Sequence, residues 1–172
     1  MNNLQQLALT GLTLTASAES TDEWYTPPQF LDRARAVLGE IDLDPASNPA
    51  ANQAVKAARF YTLADDGLRQ HWQGRVWLNP PYSAPGAWVD KLIAHYRAGD
   101  VTAAILLVSN STDTRWFAPL FDFPICFVHG RINFWGRPGK SNDRGSVFVY
   151  LGPDVDRFQA VFAPVGAIVG RL

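Results

Sequence analysis

From Val101 to Val108 the chain is apolar at every position except Thr102. A strand with one wet face alternates apolar and polar residues, whereas a run without alternation belongs to a strand covered on both faces. Helices must therefore pack on either side of it. Trp88, Val89, Leu92, Ile93 and Tyr96 recur at helical spacing just before the run, with Gly99 placed to end that helix in a left-handed turn. Further upstream, Phe30, Leu31, Ala34, Val37 and Leu38 share one helical face. Thr26 is its expected cap, Pro27 its first residue and Gly39 its stop. Ile41 to Pro45, Arg75 to Leu78, Ile125 to Val128 and Val147 to Leu151 read as further strands. Ala50 to Arg59 is compatible with helix, and Val155, Phe158, Val161 and Phe162 suggest a last short helix before Pro164. Strands alternating with helices predict an α/β fold, with a mostly parallel central sheet flanked by helices.

The chain has 172 residues, 47% hydrophobic and 18% charged, which supplies one core and not two. Residues 1–21 read as a flexible arm and residues 22–172 as a single domain without repeats. Ala16-Ser17-Ala18 looks like a signal-peptide cleavage site, but no Lys or Arg precedes it and Thr10, Thr13 and Thr15 break the apolar stretch. No stretch approaches the roughly 20 apolar residues of a membrane span. The net charge of -1 gives no whole-molecule field for nucleic acid, so such affinity has to come from a local patch. A single Cys fits a reducing cytoplasm, and three scattered His offer no closed zinc site; no metal is expected.

Asn79-Pro80-Pro81-Tyr82 directly follows the strand Val76-Trp77-Leu78. Each part suits a substrate with an exocyclic amine on a planar ring. The Asn79 side-chain oxygen and the Pro80 carbonyl can each accept one amine hydrogen. Held this way, the nitrogen lone pair leaves ring conjugation and is aimed at an electrophile. Adjacent prolines stiffen the backbone and fix the carbonyl beforehand. Tyr82 offers a flat face, and a base reaches such a pocket only by leaving the DNA stack. The competing reading is an ordinary Pro-Pro turn after a buried strand. Asp42-Leu43-Asp44-Pro45 ends the first strand in the same manner. Ligands of open α/β sheets sit beyond the carboxyl ends of strands, so the two segments are candidate halves of one site.

These elements belong to a longer ordered set. Trp24-Tyr25-Thr26-Pro27 is followed by Asp42-Leu43-Asp44-Pro45-Ala46, Asp65-Asp66-Gly67-Leu68, Trp72-Gln73-Gly74, and the segment through Asn79-Pro80-Pro81-Tyr82-Ser83. Thr112-Asp113-Thr114-Arg115-Trp116-Phe117 and Gly130-Arg131-Ile132-Asn133-Phe134 complete it. The set resembles the phage-type DNA N-6-adenine methyltransferase family, a Dam-like group. The resemblance implies a minimal Rossmann-like methyltransferase fold that uses S-adenosylmethionine to methylate adenine N6, in double-stranded DNA with the target base flipped out. It also implies a bacterial host cytoplasm and phage or prophage origin. By the same resemblance, Asn79, Pro80, Pro81 and Tyr82 are the catalytic segment. Trp24, Tyr25, Thr26 and Pro27 pack against the cofactor's methionine end. Asp42 and Asp44, with Pro45 and Ala46, form the acidic first motif that accepts from the cofactor ammonium, and Asp66 accepts from its adenine amine. Where the wider methyltransferase pattern has a Gly-rich turn, this chain has Ala46-Ser47-Asn48-Pro49-Ala50.

Arg131, Arg137, Lys140 and Arg144 are offset only by Asp143, in a Gly- and Pro-containing loop at about residues 129–145. With Arg115 they are the candidate DNA-binding residues, for phosphates or guanine edges. A solvated basic loop is the alternative. Phe134 and Trp135 either wedge into a base stack or anchor the loop. Cys126 reads as a core residue, and Trp88 and Trp116 as packing residues. Two rivals to adenine methylation stay open: N4-cytosine methylation, whose amine has similar geometry, and a DNA-binding module without catalysis.

Overall fold

The strand Val101–Ser109 (β4) sorts its side chains between two separate cores. Ile105 and Leu107 face one, and Ala104, Leu106 and Val108 face the other, none of them more than 2% exposed. This double burial is why the run lacks alternation. The computed structural model describes residues 24–134 and 144–170. The arm at residues 1–21, Trp135, Arg137, Lys140 and the middle of the basic loop lie outside the described residues.

The other strands are Leu43–Asp44 (β1), Arg59–Phe60 (β2), Gly74–Leu78 (β3), Ile125–Val128 (β5), Ser146–Leu151 (β6) and Gly166–Val169 (β7). Among the described residues they form one sheet in the order β2-β1-β3-β4-β6-β5-β7. The β2-β1-β3-β4 half is parallel, and the pairings β4-β6, β6-β5 and β5-β7 are antiparallel. The sheet is therefore mixed, half parallel instead of mostly so. Helices Pro28–Leu38 (α1), Pro49–Val55 (α2) and Val155–Phe162 (α4) bury Leu31, Val55 and Phe158 with Trp77, Ile105 and Phe148 on one face. Helix Gly86–Ala98 (α3) buries Val89, Leu92 and Ile93 on the other, with Trp72, Val76 and Leu106. Each fully buried side chain of this size contributes about 1.5–3 kcal/mol by leaving water, so both faces need their helices.

Several local expectations are corrected. The cap of α1 is Pro27, with Pro28 first in the helix, and Thr26 makes no cap bond; the Thr26 hydroxyl sits 3.4 Å from the Asn79 amide nitrogen instead. The segment from Ala50 to Arg59 is helical only to Val55. Lys56 turns left-handed at φ 56°, and the Asn52 side chain bonds both the N–H and the C=O of Ala57, at 2.9 and 3.2 Å. That reversal frees Arg59 and Phe60 to pair beside Leu43 and Asp44. The edge strand β7 was not expected. Cys126 is buried in β5, where desolvation pushes its thiol up to about 11, unsuited to a nucleophile.

From β1 the chain passes to β2 on one side and returns to β3 on the other. The gap between the carboxyl ends of β1 and β3 is thus a topological switch point, where open α/β sheets form their ligand crevice.

Candidate active site

A cavity of about 910 Å³ opens at that switch point. It is lined by the Trp24–Thr26 segment, α1, the residues after β1, α2, Tyr61–Leu63, Asp66 and Gly67. Asn79, Pro81 and Trp88 close it from β3 and α3.

The polarity of the Asn79 amide follows from its partner. Its nitrogen donates to the Trp24 carbonyl at 2.8 Å, and a carbonyl can only accept. The amide oxygen, Oδ1, is left buried without a partner. An unpaired buried acceptor costs about 1–3 kcal/mol, which a donor reaching it from the cavity would offset.

Asp44 ends β1 with a carboxyl that is 3% exposed. Burial raises its pKa from 3.8 to about 7, against the opposing pull of the nearby Ser47 hydroxyl and the Ala46 N–H, which donates to Oδ1 at 3.2 Å. A cationic group in the cavity would supply the charge this carboxyl lacks.

The model of the DNA N-6-adenine-methyltransferase (Dam) family matches residues 14–156. The chain belongs to this family. A DNA N-6-adenine-methyltransferase from Escherichia phage T1 is 33% identical over 98 residues, which cover 56% of this chain and 39% of that protein. One from Haemophilus phage HP1 has the same identity over 98 residues, covering 56% and 54%. The matches thus span about two fifths to half of these relatives' lengths. A dimethyladenosine transferase from Plasmodium falciparum superposes with a TM-score of 0.47 at 14% identity, covering 79% of this chain and 65% of that one.

The cavity of this Dam-family chain gathers Trp24, Tyr25, Thr26, Asp44, Pro45, Ala46, Asp66, Asn79 and Pro81. Pro27, Pro80 and Tyr82 are not part of its lining. Tyr82 packs in a three-ring cluster with Trp24 and Phe134, at centroid distances of 5.5 to 6.0 Å. Its phenol is held neutral by burial, beside Ser146. Phe134 is 7% exposed, so it anchors the end of the basic loop onto the Asn79 segment and is no wedge. Asp42 is a correction. It lies at the opposite end of β1, clamped by Arg75 through Nε and Nη2 at 2.8 Å each, and Arg75 holds its carboxyl below the usual range. It anchors the sheet and does not enter the cavity.

Close backbone approach is supplied from an unexpected place. Gly67 packs on the end of β1, where a Cβ would stand 1.9 Å from the Pro45 carbonyl oxygen and 3.2 Å from the Trp88 ring. Gly67→Ala is expected to push the 61–67 segment off the cavity wall. It should lower the melting temperature and weaken ligand binding together; a native melting curve would count against this packing role. The small residues Ala46, Ala50, Ala51 and Ala54 leave the room that a Gly-rich turn provides elsewhere. Tyr61, Leu63 and Trp88 also line the cavity and were missed, since a helix-spaced Trp is indistinguishable from a core residue in sequence.

Arg115, Arg131 and Arg144 are exposed. Arg144 donates to the Ser111 hydroxyl at 3.2 Å, beyond the carboxyl end of β4. Arg131 and Asn110 flank Gly145, so this basic edge adjoins the same end of the sheet as the cavity. Among the described residues no helix is long and apolar enough to cross a membrane.

Proposed function

We propose that this chain transfers a methyl group from S-adenosylmethionine to the N6 amine of adenine in double-stranded DNA. The observation that carries the reading is the buried, unpartnered Asn79 Oδ1 on the wall it shares with Asp44. Family membership supplies the reaction class.

The residues present fit the cofactor. Asp44 suits an ammonium, and Asp66 at the mouth suits an adenine amine. Trp24, Leu63 and Trp88 offer apolar surface. The volume lies within the range of small-molecule sites, about 300–1,000 Å³. When bound, S-adenosylmethionine supplies a methyl carbon made electrophilic by its sulfonium. Asn79 Oδ1 accepts one hydrogen of the adenine amine, and the Pro80 carbonyl is the proposed acceptor of the second. Together they hold the nitrogen lone pair out of ring conjugation. The Trp24 carbonyl keeps the Asn79 amide from rotating, so no reorganisation is needed at the reacting moment. The adenine has to flip out of the duplex to reach these acceptors. In an infected or lysogenic bacterial cell, as for the phage relatives, the DNA would be in the cytoplasm.

The test is incubation of the purified chain with labelled S-adenosylmethionine and unmethylated DNA, followed by nucleoside analysis. N6-methyladenine is the expected product. N4-methylcytosine would transfer the same acceptor geometry to another base. Absence of both product and calorimetric cofactor binding would leave a DNA-binding module. For the basic edge, Arg131→Ala should reduce the slope of log affinity against log salt by about 0.9. Cofactor affinity should not move. An unchanged slope would exclude a phosphate contact there.

A further inference from the structure

At the other end of β3, the fold brings together three side chains with no role in this chemistry. His71 lies in the loop before β3, His95 on the last turn of α3, and Asp100 in the turn before β4. The Asp100 carboxylate stands between the two rings. Its Oδ2 is 2.9 Å from His95 Nδ1, and its Oδ1 is 3.9 Å from His71 Nε2. All three potential ligand atoms lie within 4.8 Å of one another. We propose that His71, His95 and Asp100 form a binding site for one divalent transition-metal ion of the zinc class.

The donor set selects the ion. Two imidazole nitrogens and one carboxylate oxygen suit Zn²⁺, Ni²⁺, Co²⁺ or Cu²⁺, and fall short of the six or more oxygens that Ca²⁺ and Mg²⁺ favour. Ligands about 2.0–2.1 Å from a tetrahedral ion are roughly 3.3 Å apart. The Asp100–His95 separation is slightly shorter than this and the Asp100–His71 separation slightly longer. The adjustment falls on His71, whose side chain is 59% exposed and meets the His95 ring edge-on at 5.0 Å.

The other two ligands are already held. The His95 ring stacks on Trp72 at 6.2 Å and 23°, and Trp72 is fully buried with its indole N–H on the Gly67 carbonyl at 2.8 Å. Asp100 is fixed through its backbone: its N–H donates to the His95 carbonyl at 3.0 Å, and its carbonyl accepts from Gly74 N at 2.9 Å. Gly99, at φ 83°, makes that turn possible. Partial exposure of all three side chains leaves a remaining coordination position for water. An ion here would tie the loop before β3 to the turn before β4. The site lies a strand's length from Asn79, so it braces the sheet and takes no part in methyl transfer.

The test uses the full chain after dialysis against EDTA. Calorimetric titration with zinc chloride should saturate at one equivalent. Asp100→Asn and His71→Gln should each weaken binding at least about tenfold. His129→Gln, which removes the remaining His of the chain, should not. Because Trp72 stacks on His95, Cu²⁺ should quench tryptophan fluorescence in the parent and much less in Asp100→Asn. Melting in EDTA checks that the variants fold, and both substituted side chains are exposed enough for that to be expected. No saturable zinc binding below millimolar concentration overturns the site. So does equal binding by parent and both ligand variants, or zinc affinity that disappears with His129.

Discussion

Asn79→Ala is expected to slow DNA methylation about 10²–10³-fold while S-adenosylmethionine affinity stays within a few-fold. The two ends of the Asn79 amide differ in their partners. Its nitrogen is committed to the Trp24 carbonyl, and only Oδ1 is left for a substrate. Truncation removes that acceptor, but it also removes the hydrogen bond from Asn79 to the Trp24 carbonyl. A stability loss of about 1–3 kcal/mol should therefore accompany the rate loss. The two effects are separable with Asn79→Asp, which keeps an acceptor in place and gives up the N–H to Trp24. If the acceptor matters, Asn79→Asp should be as destabilised as Asn79→Ala yet recover part of the rate at saturating cofactor. Equal rates in both variants would mean that Asn79 only ties the Trp24 segment down. Single-turnover methylation beside urea melts of the three proteins decides it.

Much of this arrangement was legible because the signals were local. The β4 run could belong only to a strand covered on both faces, and the stops at Gly39 and Gly99 are set by single residues with positive φ. The Asn79 segment was placed after β3 by sequence, and there Asn79 and Pro81 do line the cavity, while Pro80 and Tyr82 do not. What escaped was set by distant contacts or by side-chain direction. Asp42 and Asp44 are two residues apart and alike in type. Yet Arg75, more than thirty positions away, takes up the Asp42 carboxylate, while Asp44 lines the cavity. The two-residue strands β1 and β2 carry too few positions for a period to show. Helix α2 was overextended because Asn52 ends it by bonding around Ala57, a reversal with no Gly or Pro to mark it. Its start was read one residue late, at Ala50; Asn48 is the N-cap, its side chain accepting from Ala51 N at 2.9 Å, and Pro49 is the first residue. His71 and His95 are 24 positions apart, so sequence spacing hid their shared Asp100.

Asp44 should make the ligand-free protein less stable as the pH rises, and Asp44→Asn should abolish that slope. In the folded state the carboxyl holds its proton to about pH 7, because the buried anion has lost its water and gained only Ser47 and the Ala46 N–H. Unfolded, it titrates at its ordinary value of 3.8. Below about pH 4 both states are protonated and the group is neutral in its effect. Between pH 4 and 7 the unfolded state releases a proton that the folded state keeps. Stability then falls by about 1.4 kcal/mol per pH unit, to a total of roughly 4 kcal/mol. An amide at this position resembles the protonated acid and has no such dependence. Asp44→Asn should match the parent near pH 3, where both states of the acid are protonated, and exceed it by a few kcal/mol near pH 8, as read from urea unfolding midpoints. The same substitution should weaken S-adenosylmethionine binding about 10- to 100-fold. A charge-assisted hydrogen bond to the ammonium is worth about 1.5–3 kcal/mol. The cofactor should accordingly stabilise the parent more at pH 8, where its cation meets the anion, than the variant. A parent-to-variant stability difference that does not change from pH 5 to pH 8 would show that Asp44 is already ionised in the empty cavity. Unchanged cofactor affinity in Asp44→Asn would move the ammonium away from the end of β1.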